Sequence, residues 1–286
     1  MTDHRSVEVA GSPVHVLDVG AGAGRTVLML HGSGPGTTGA GAWAATAAAL
    51  AGSHRVVAPD QAGFGGTPLP PGTSGGLRVW TEQAAGLMEA LGETSYAVVG
   101  HSMGGAVALA LAAARPRQVA RVVAVATMGA PGAPLSADLN AVWAAAPGRA
   151  GARDMLGRLV LDQSLVTEEA VAARASAMEA GAESFAAMFP APRTRWVDDL
   201  TLSATTLAAV RAPVLLVHGA QDRLTPLPTA ALPLLDHLAD VRLHVLGRCG
   251  HAPPVEQPAA FRELLAGFLA PALRSRSEAD QRPIRG

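Results

Sequence analysis

The sequence predicts an α/β fold: a mostly parallel central sheet flanked by helices, with a helical cap inserted late in the chain. Three observations predict it. Short, continuously apolar runs recur along the chain, set off by glycine and proline and alternating with helix-compatible stretches, the pattern of strands buried on both faces. One such run ends in Gly100-His101-Ser102-Met103-Gly104 and leads directly into a helix of small residues. The stretch from about 131 to 207 has no strand-like run at all.

Taken in order, Val14–Val19, Val27–Leu30 and Arg55–Pro59 read as strands, each closed by turn-forming residues. Those nearest the N-terminus are free to pair antiparallel at the sheet edge. Tyr96–Gly100 and Val122–Ala126 follow, with the helix Met103–Ala114 between them; Val214–His218 and Arg242–Leu246 come last. Residues 1–130 and 208–272 therefore form the sheet core. The insertion 131–207 carries helical spacing such as Leu156, Leu159 and Val160, and a cap between two strands is a natural substrate lid. Past Phe268 the periodicity fades, and 273–286 is polar and reads as a flexible C-terminal tail.

Composition bounds the function. With 286 residues, 49% hydrophobic and 16% charged, the chain suits one α/β domain with an insertion and excludes pervasive disorder. A net charge of −1, from 22 basic and 23 acidic residues, gives no field to hold nucleic acid or an anionic membrane. The single cysteine, Cys249, excludes an internal disulfide and any multi-cysteine metal site. No metal, flavin or nicotinamide cofactor is suggested. No apolar segment follows Met-Thr-Asp-His-Arg, and Gly104–Ala114 is about half a membrane span before it meets Arg115 and Pro116. The expectation is a soluble, cytoplasmic protein acting on a small molecule, with a homodimer left open.

The chemistry centres on Ser102. Gly-x-Ser-x-Gly between a strand and a helix is a nucleophile elbow, glycines flanking the serine because the strained turn has no room for Cβ atoms. A serine hydroxyl needs a base to take its proton. Of nine histidines, His31 reads as structural, His101 is expected to point away from Ser102, and His218 and His244 read as core strand residues. His251 follows a strand in the loop Gly247-Arg248-Cys249-Gly250 and is the candidate base. Asp222, in the loop after Val214–His218, is the candidate orienting carboxylate, ahead of Asp60, Asp198 and Asp199. The order Ser102, Asp222, His251 brings all three to one sheet edge if the strands are parallel. The backbone N–H of Met103, and that of Ser33 in the glycine loop after Leu30, are the candidate oxyanion donors.

Together the elbow, the Asp222 loop and Cys249-Gly250-His251 resemble the α/β-hydrolase superfamily over about residues 7–270. More narrowly, Leu30-His31-Gly32-Ser33-Gly34-Pro35-Gly36 and 244–251 look like the meta-cleavage product hydrolases, which split a carbon–carbon bond in ring-opened catechols. The stretch 184–193 resembles the branch acting on 2-hydroxymuconic semialdehydes. That resemblance implies substrate contacts from Gly34 and from Arg174, which follows Thr167-Glu168-Glu169. Three positions depart from the family pattern and are expected to line the polar end of the pocket: His101 for Asn, Ala252 for Trp, and Ala45 for Asn in Trp43-Ala44-Ala45. The leading reading is thus a serine hydrolase cleaving the bond beside a ketone in a dienone acid. An esterase, thioesterase or lactonase on the same residues is the alternative, and a non-hydrolytic biosynthetic or ligand-binding protein the second. Haloalkane chemistry is excluded, because it places a carboxylate where Ser102 stands.

Overall fold

The structure, a computed structural model, describes residues 3–20 and 24–270; the expected tail at 273–286 lies outside them. Eight strands form one sheet: β1 (Asp3–Val9), β2 (Ser12–Val19), β3 (Thr26–Leu30), β4 (Val56–Pro59), β5 (Tyr96–His101), β6 (Val119–Val125), β7 (Val214–Gly219) and β8 (Val241–Leu246). Their order is β1-β2-β4-β3-β5-β6-β7-β8. β2 runs antiparallel to both β1 and β4, and the pairs from β4 through β8 are parallel.

The apolar runs are continuous because both faces are covered. Along β3, Leu28 and Leu30 face one core while Val27 and Met29 face the other; along β5, Val98 opposes Ala97 and Val99. The first core packs under α2 (Leu77–Ala90) and α3 (Met103–Ala114), the second under α1 (Gly39–Leu50) and α12 (Pro258–Leu269). Parallel pairing aligns the carboxyl ends: Leu30 lies opposite Gly100, and Gly219 opposite Leu246. The loops after β3, β5, β7 and β8 therefore open on one edge, the usual ligand side of such sheets.

Between β6 and β7 lie six α-helices, one short 3-10 helix (Gln163–Leu165) and no strand: α4 (Ala137–Trp143), α5 (Arg149–Leu159), α6 (Glu168–Ala180), α7 (Ala182–Met188), α8 (Thr194–Leu200) and α9 (Ala204–Ala208). Their starts are written in the sequence. Ser136, Thr167 and Ser203 are extended N-caps accepting from the N–H of Leu139, Ala170 and Thr206. An aromatic cluster seats this segment on the core: Phe189 packs 6.1 Å from Trp80, 5.3 Å from Trp143, 4.9 Å from Phe185 and 5.2 Å from Trp196. Scattered over more than a hundred residues, these rings leave no periodic signal. Among the described residues no helix is long and apolar enough to cross a membrane.

Two sequence expectations are corrected. His244 is exposed, because β8 is an edge strand with alternating burial rather than a core one. Ala45 lies on the exposed side of α1, outside the cavity that Trp43 and Ser102 line; two residues of helix rotate it away from buried Trp43.

Backbones approach closely at the turn into α3. A Cβ on Gly104 would lie 2.4 Å from the Leu30 carbonyl oxygen and 2.6 Å from that of His31. Gly104→Ala should therefore destabilise the chain by roughly 1–3 kcal/mol or more. Urea unfolding measures it, and an unchanged midpoint would contradict this close approach.

Candidate active site

Ser102 sits between β5 and α3 with φ +55° and ψ −117°, a region that residues with a Cβ avoid at a cost of about 1–3 kcal/mol. The turn is held by hydrogen bonds from the Ser102 N–H to the Val125 carbonyl (2.9 Å) and from the Met128 N–H to the Ser102 carbonyl (3.1 Å). Gly100 is needed here too, since a Cβ there would fall 2.0 Å from the Gly104 carbonyl oxygen. Met103 is the first residue of α3, so its N–H has no acceptor within the helix. The Ser33 N–H meets no acceptor among the described residues, while the Ser33 hydroxyl accepts from Trp143 Nε1 at 2.8 Å.

Asp222 is buried and saturated. Oδ1 accepts from the N–H groups of Leu224 (2.8 Å) and Thr225 (3.1 Å); Oδ2 accepts from the Thr225 hydroxyl (2.8 Å) and from His251 Nδ1 (2.8 Å). Burial alone would raise its carboxyl, but His251, His218 and Thr225 outweigh it and hold the group at about 2. Because Nδ1 donates to Asp222, His251 keeps Nε2 bare as an acceptor. His251 is buried, and its N–H donates to the Leu159 carbonyl at 2.8 Å.

Ser102 and His251 line one cavity of about 190 Å³, together with Ser33, Gly34, His101 and Arg174. The rest of its wall is largely aliphatic, including Leu139, Val142, Leu156, Leu159, Val160 and Val166. Arg174, on α6, donates to the Pro35 carbonyl (3.2 Å) and the Thr37 hydroxyl (2.9 Å), and has no acidic partner among the described residues. Burial pushes its guanidinium below its ordinary value, so an anion entering the cavity would relieve an unpaired charge.

His101 lines the cavity, as expected of the three departing positions, with its ring turned to the loop of His251. Its Nε2–H donates to the His251 carbonyl at 2.8 Å, and the rings lie 4.8 Å apart. Burial, then the adjacent His251, push it down to about 3, so it is neutral. Ala252 lines the cavity as expected. His31 is structural: Nδ1 donates to the Gly32 carbonyl and Nε2 accepts the Gln61 N–H. His218, with Nε2 donating to the Thr225 carbonyl and 3.4 Å from Asp222, is a site residue that sequence reasoning missed; only its place four residues before Asp222 hinted at it. Asp60 instead holds His15 and the N–H groups of Gly39 and Gly66. Burial and neighbouring Glu256 push the Cys249 thiol up to about 12, leaving no thiolate. Among the described residues no group of three His, Cys, Asp or Glu is arranged to hold a metal.

A serine at a strained strand–helix turn, sharing a cavity with a carboxylate-bound histidine at a parallel sheet edge, marks a protein class. Residues 27–264 match the alpha/beta hydrolase family, and the chain belongs to it. It is 40% identical over 270 residues to the 2-hydroxymuconate semialdehyde hydrolase of Pseudomonas sp. (strain CF600), covering 94% of each chain. It is also 40% identical over 270 residues to the 2-hydroxy-6-oxo-2,4-heptadienoate hydrolase of Pseudomonas putida (strain F1), covering 93% of this chain and 96% of that one. Among solved structures, a meta-cleavage product hydrolase from Pseudomonas fluorescens IP01, a variant complexed with acetates, superposes with a TM-score of 0.87 at 35% identity, covering 92% of this chain and 96% of that one.

The low Asp222 value has a consequence for stability. A carboxyl held at about 2 against an ordinary 3.8 stabilises the fold fully above about pH 4 and loses that contribution as pH falls towards 2; two units amount to about 2–3 kcal/mol. The stability gap between the wild type and Asp222→Asn should narrow over this window in denaturant unfolding. A gap independent of pH would contradict it.

Proposed function

We propose that the chain is a serine-type hydrolase that breaks the carbon–carbon bond beside a ketone in a dienone acid of the ring-fission type. In this reading Ser102 is the nucleophile, His251 the base and Asp222 its orienting carboxylate. The N–H groups of Met103 and Ser33 receive the oxyanion, Gly34 and Arg174 contact the substrate, and the cap at 131–207 closes over the core. One observation carries it: a half-buried arginine without an acidic partner among the described residues shares an otherwise aliphatic cavity with Ser102 and His251. A neutral ester has no use for that cation, whereas a substrate with a carboxylate at one end and a carbonyl further along matches both. Supporting it, both Pseudomonas relatives are named for unsaturated 2-hydroxy acids with a carbonyl at the far end.

The chemistry follows from the arrangement. Carbon is a poor leaving group unless its electron pair is delocalised. In the keto tautomer of a dienone acid, the bond to be broken joins a methylene to the carbonyl. Ser102 attacks that carbonyl as His251 takes its proton, and the oxyanion forms between Met103 and Ser33. Collapse breaks the C–C bond, and the electron pair runs through the conjugated chain to the oxygen beside the carboxylate, towards Arg174. The proton returns from His251 to the dienolate. Water, activated by His251, then cleaves the serine ester, so one water is consumed and two acids leave.

Ser102→Ala should lower kcat on the order of 10³-fold or more while the protein still folds and binds ligand; near wild-type turnover would reject Ser102 as the nucleophile. The substrate is tested by loss of the dienone chromophore against hydrolysis of a neutral p-nitrophenyl ester. A charge-assisted contact of about 1.5–3 kcal/mol predicts that Arg174→Gln loses about tenfold or more on the acid and little on the ester. Equal losses on both, or faster wild-type turnover of the ester, favour the esterase reading.

A further inference from the structure

Glu256 ends the short helix α11 (Pro253–Glu256), five residues past His251. Its carboxylate gathers N–H groups from both sides of that histidine. Oε1 accepts from Gly250 at 2.8 Å and from Ala252 at 3.2 Å, and the Cys249 thiol points at it from 3.8 Å. Oε2 accepts from the N–H of Leu161 at 2.7 Å, in the segment that follows α5. Between these, the His251 N–H donates to the carbonyl of Leu159, the last residue of α5, and the His251 carbonyl accepts from His101. Three successive peptide N–H groups, at 250, 251 and 252, are thus spoken for, two by Glu256 and one by the segment that Glu256 itself holds. The approach is tight: a Cβ on Gly250 would lie 3.0 Å from the Leu161 nitrogen.

No bond from Glu256 reaches the His251 ring, so whatever it does for the ring it does through the backbone. The ring's own contacts, to Asp222 Oδ2 at 2.8 Å and to Thr225 Oγ1 at 3.3 Å, come from a different loop. Aim of the base therefore requires two loops and the segment after α5 to keep one geometry, and Glu256 is the only side chain that bonds to the peptides on both sides of His251 and to that segment among the described residues.

We propose that Glu256 is a positioning residue: its carboxylate fixes the peptides flanking His251 and ties them to the Leu159–Leu161 segment, so that the base is aimed only while this part of the helical insertion is seated. The proposal rests on His251 being the base. A shift of the insertion moves the Leu159 carbonyl and the Leu161 N–H together, and Glu256 transmits that movement to the base loop. Misplacing a reacting group by about 1 Å can cost on the order of a hundredfold in rate, so the tie has kinetic weight although it never touches substrate.

The test uses the full chain carrying Glu256→Gln, which keeps the shape and one acceptor oxygen but sets an amide against an N–H. With a carboxylated dienone, kcat should fall on the order of tenfold to a hundredfold while KM changes little. The low-field proton resonance of His251 Nδ1–H, which reports its bond to Asp222, should shift or broaden. If Glu256→Gln does not fold, Glu256→Asp, which keeps the charge but draws the oxygens back by one methylene, is read by the same measurements. Wild-type kcat in the folded variant, or a loss of kcat with the His251 resonance unmoved, overturns the proposal. His251→Ala is assayed alongside: if it stays active, the base assignment fails instead, which separates the two failures.

Discussion

Ser102 is held in a backbone conformation that residues with a Cβ avoid, and much of the surrounding architecture exists to keep it there. The end of β6 grips it from one side through Val125 and Met128. Gly100 and Gly104 let β5, α3 and β3 approach more closely than any side chain would allow. The strain is borne because two buried cores clamp the sheet from both faces. The return is geometric: the hydroxyl projects at the sheet edge, beside the unpaired N–H of the first residue of α3.

Burial sorts the charges around that serine. His31, His101 and His218 are all pushed down by desolvation and are neutral. Asp222 is ionised despite burial because it collects four hydrogen bonds, and Arg174 is a half-buried cation on the cavity wall. A low-dielectric site with one compensated anion and one uncompensated cation favours an anionic ligand over a neutral one, since the ligand's own desolvation is then repaid by Arg174.

The helical insertion is joined to the core by contacts of different kinds. The aromatic cluster around Phe189 supplies apolar area, while Trp143 and Arg174 reach from the insertion to Ser33, Pro35 and Thr37 of the glycine loop. Leu159 and Leu161 meet the base loop on the other side of the cavity. The insertion thus contacts both the loop that carries Ser33 and the loop that carries His251. In the proposed reaction, seating it would organise both and exclude water.

The sequence by itself determined what depends on neighbours along the chain. Unbroken apolar runs marked strands covered on both faces, and glycines around Ser102 marked a turn with no room for Cβ. From parallel strands alone it followed that the loops bearing Asp222 and His251 would share an edge with Ser102, and they do. Tertiary structure decided which side chains meet across long separations. His101 turned towards the base loop because the His251 carbonyl, 150 positions away, offered an acceptor. Ala45 left the cavity because helix rotation, rather than motif spacing, sets its face. Glu256 found Leu161 across 95 positions. Local patterns encode backbone preference; partners of buried polar groups are chosen only when packing removes water and each group must bond to whatever the fold has brought within reach.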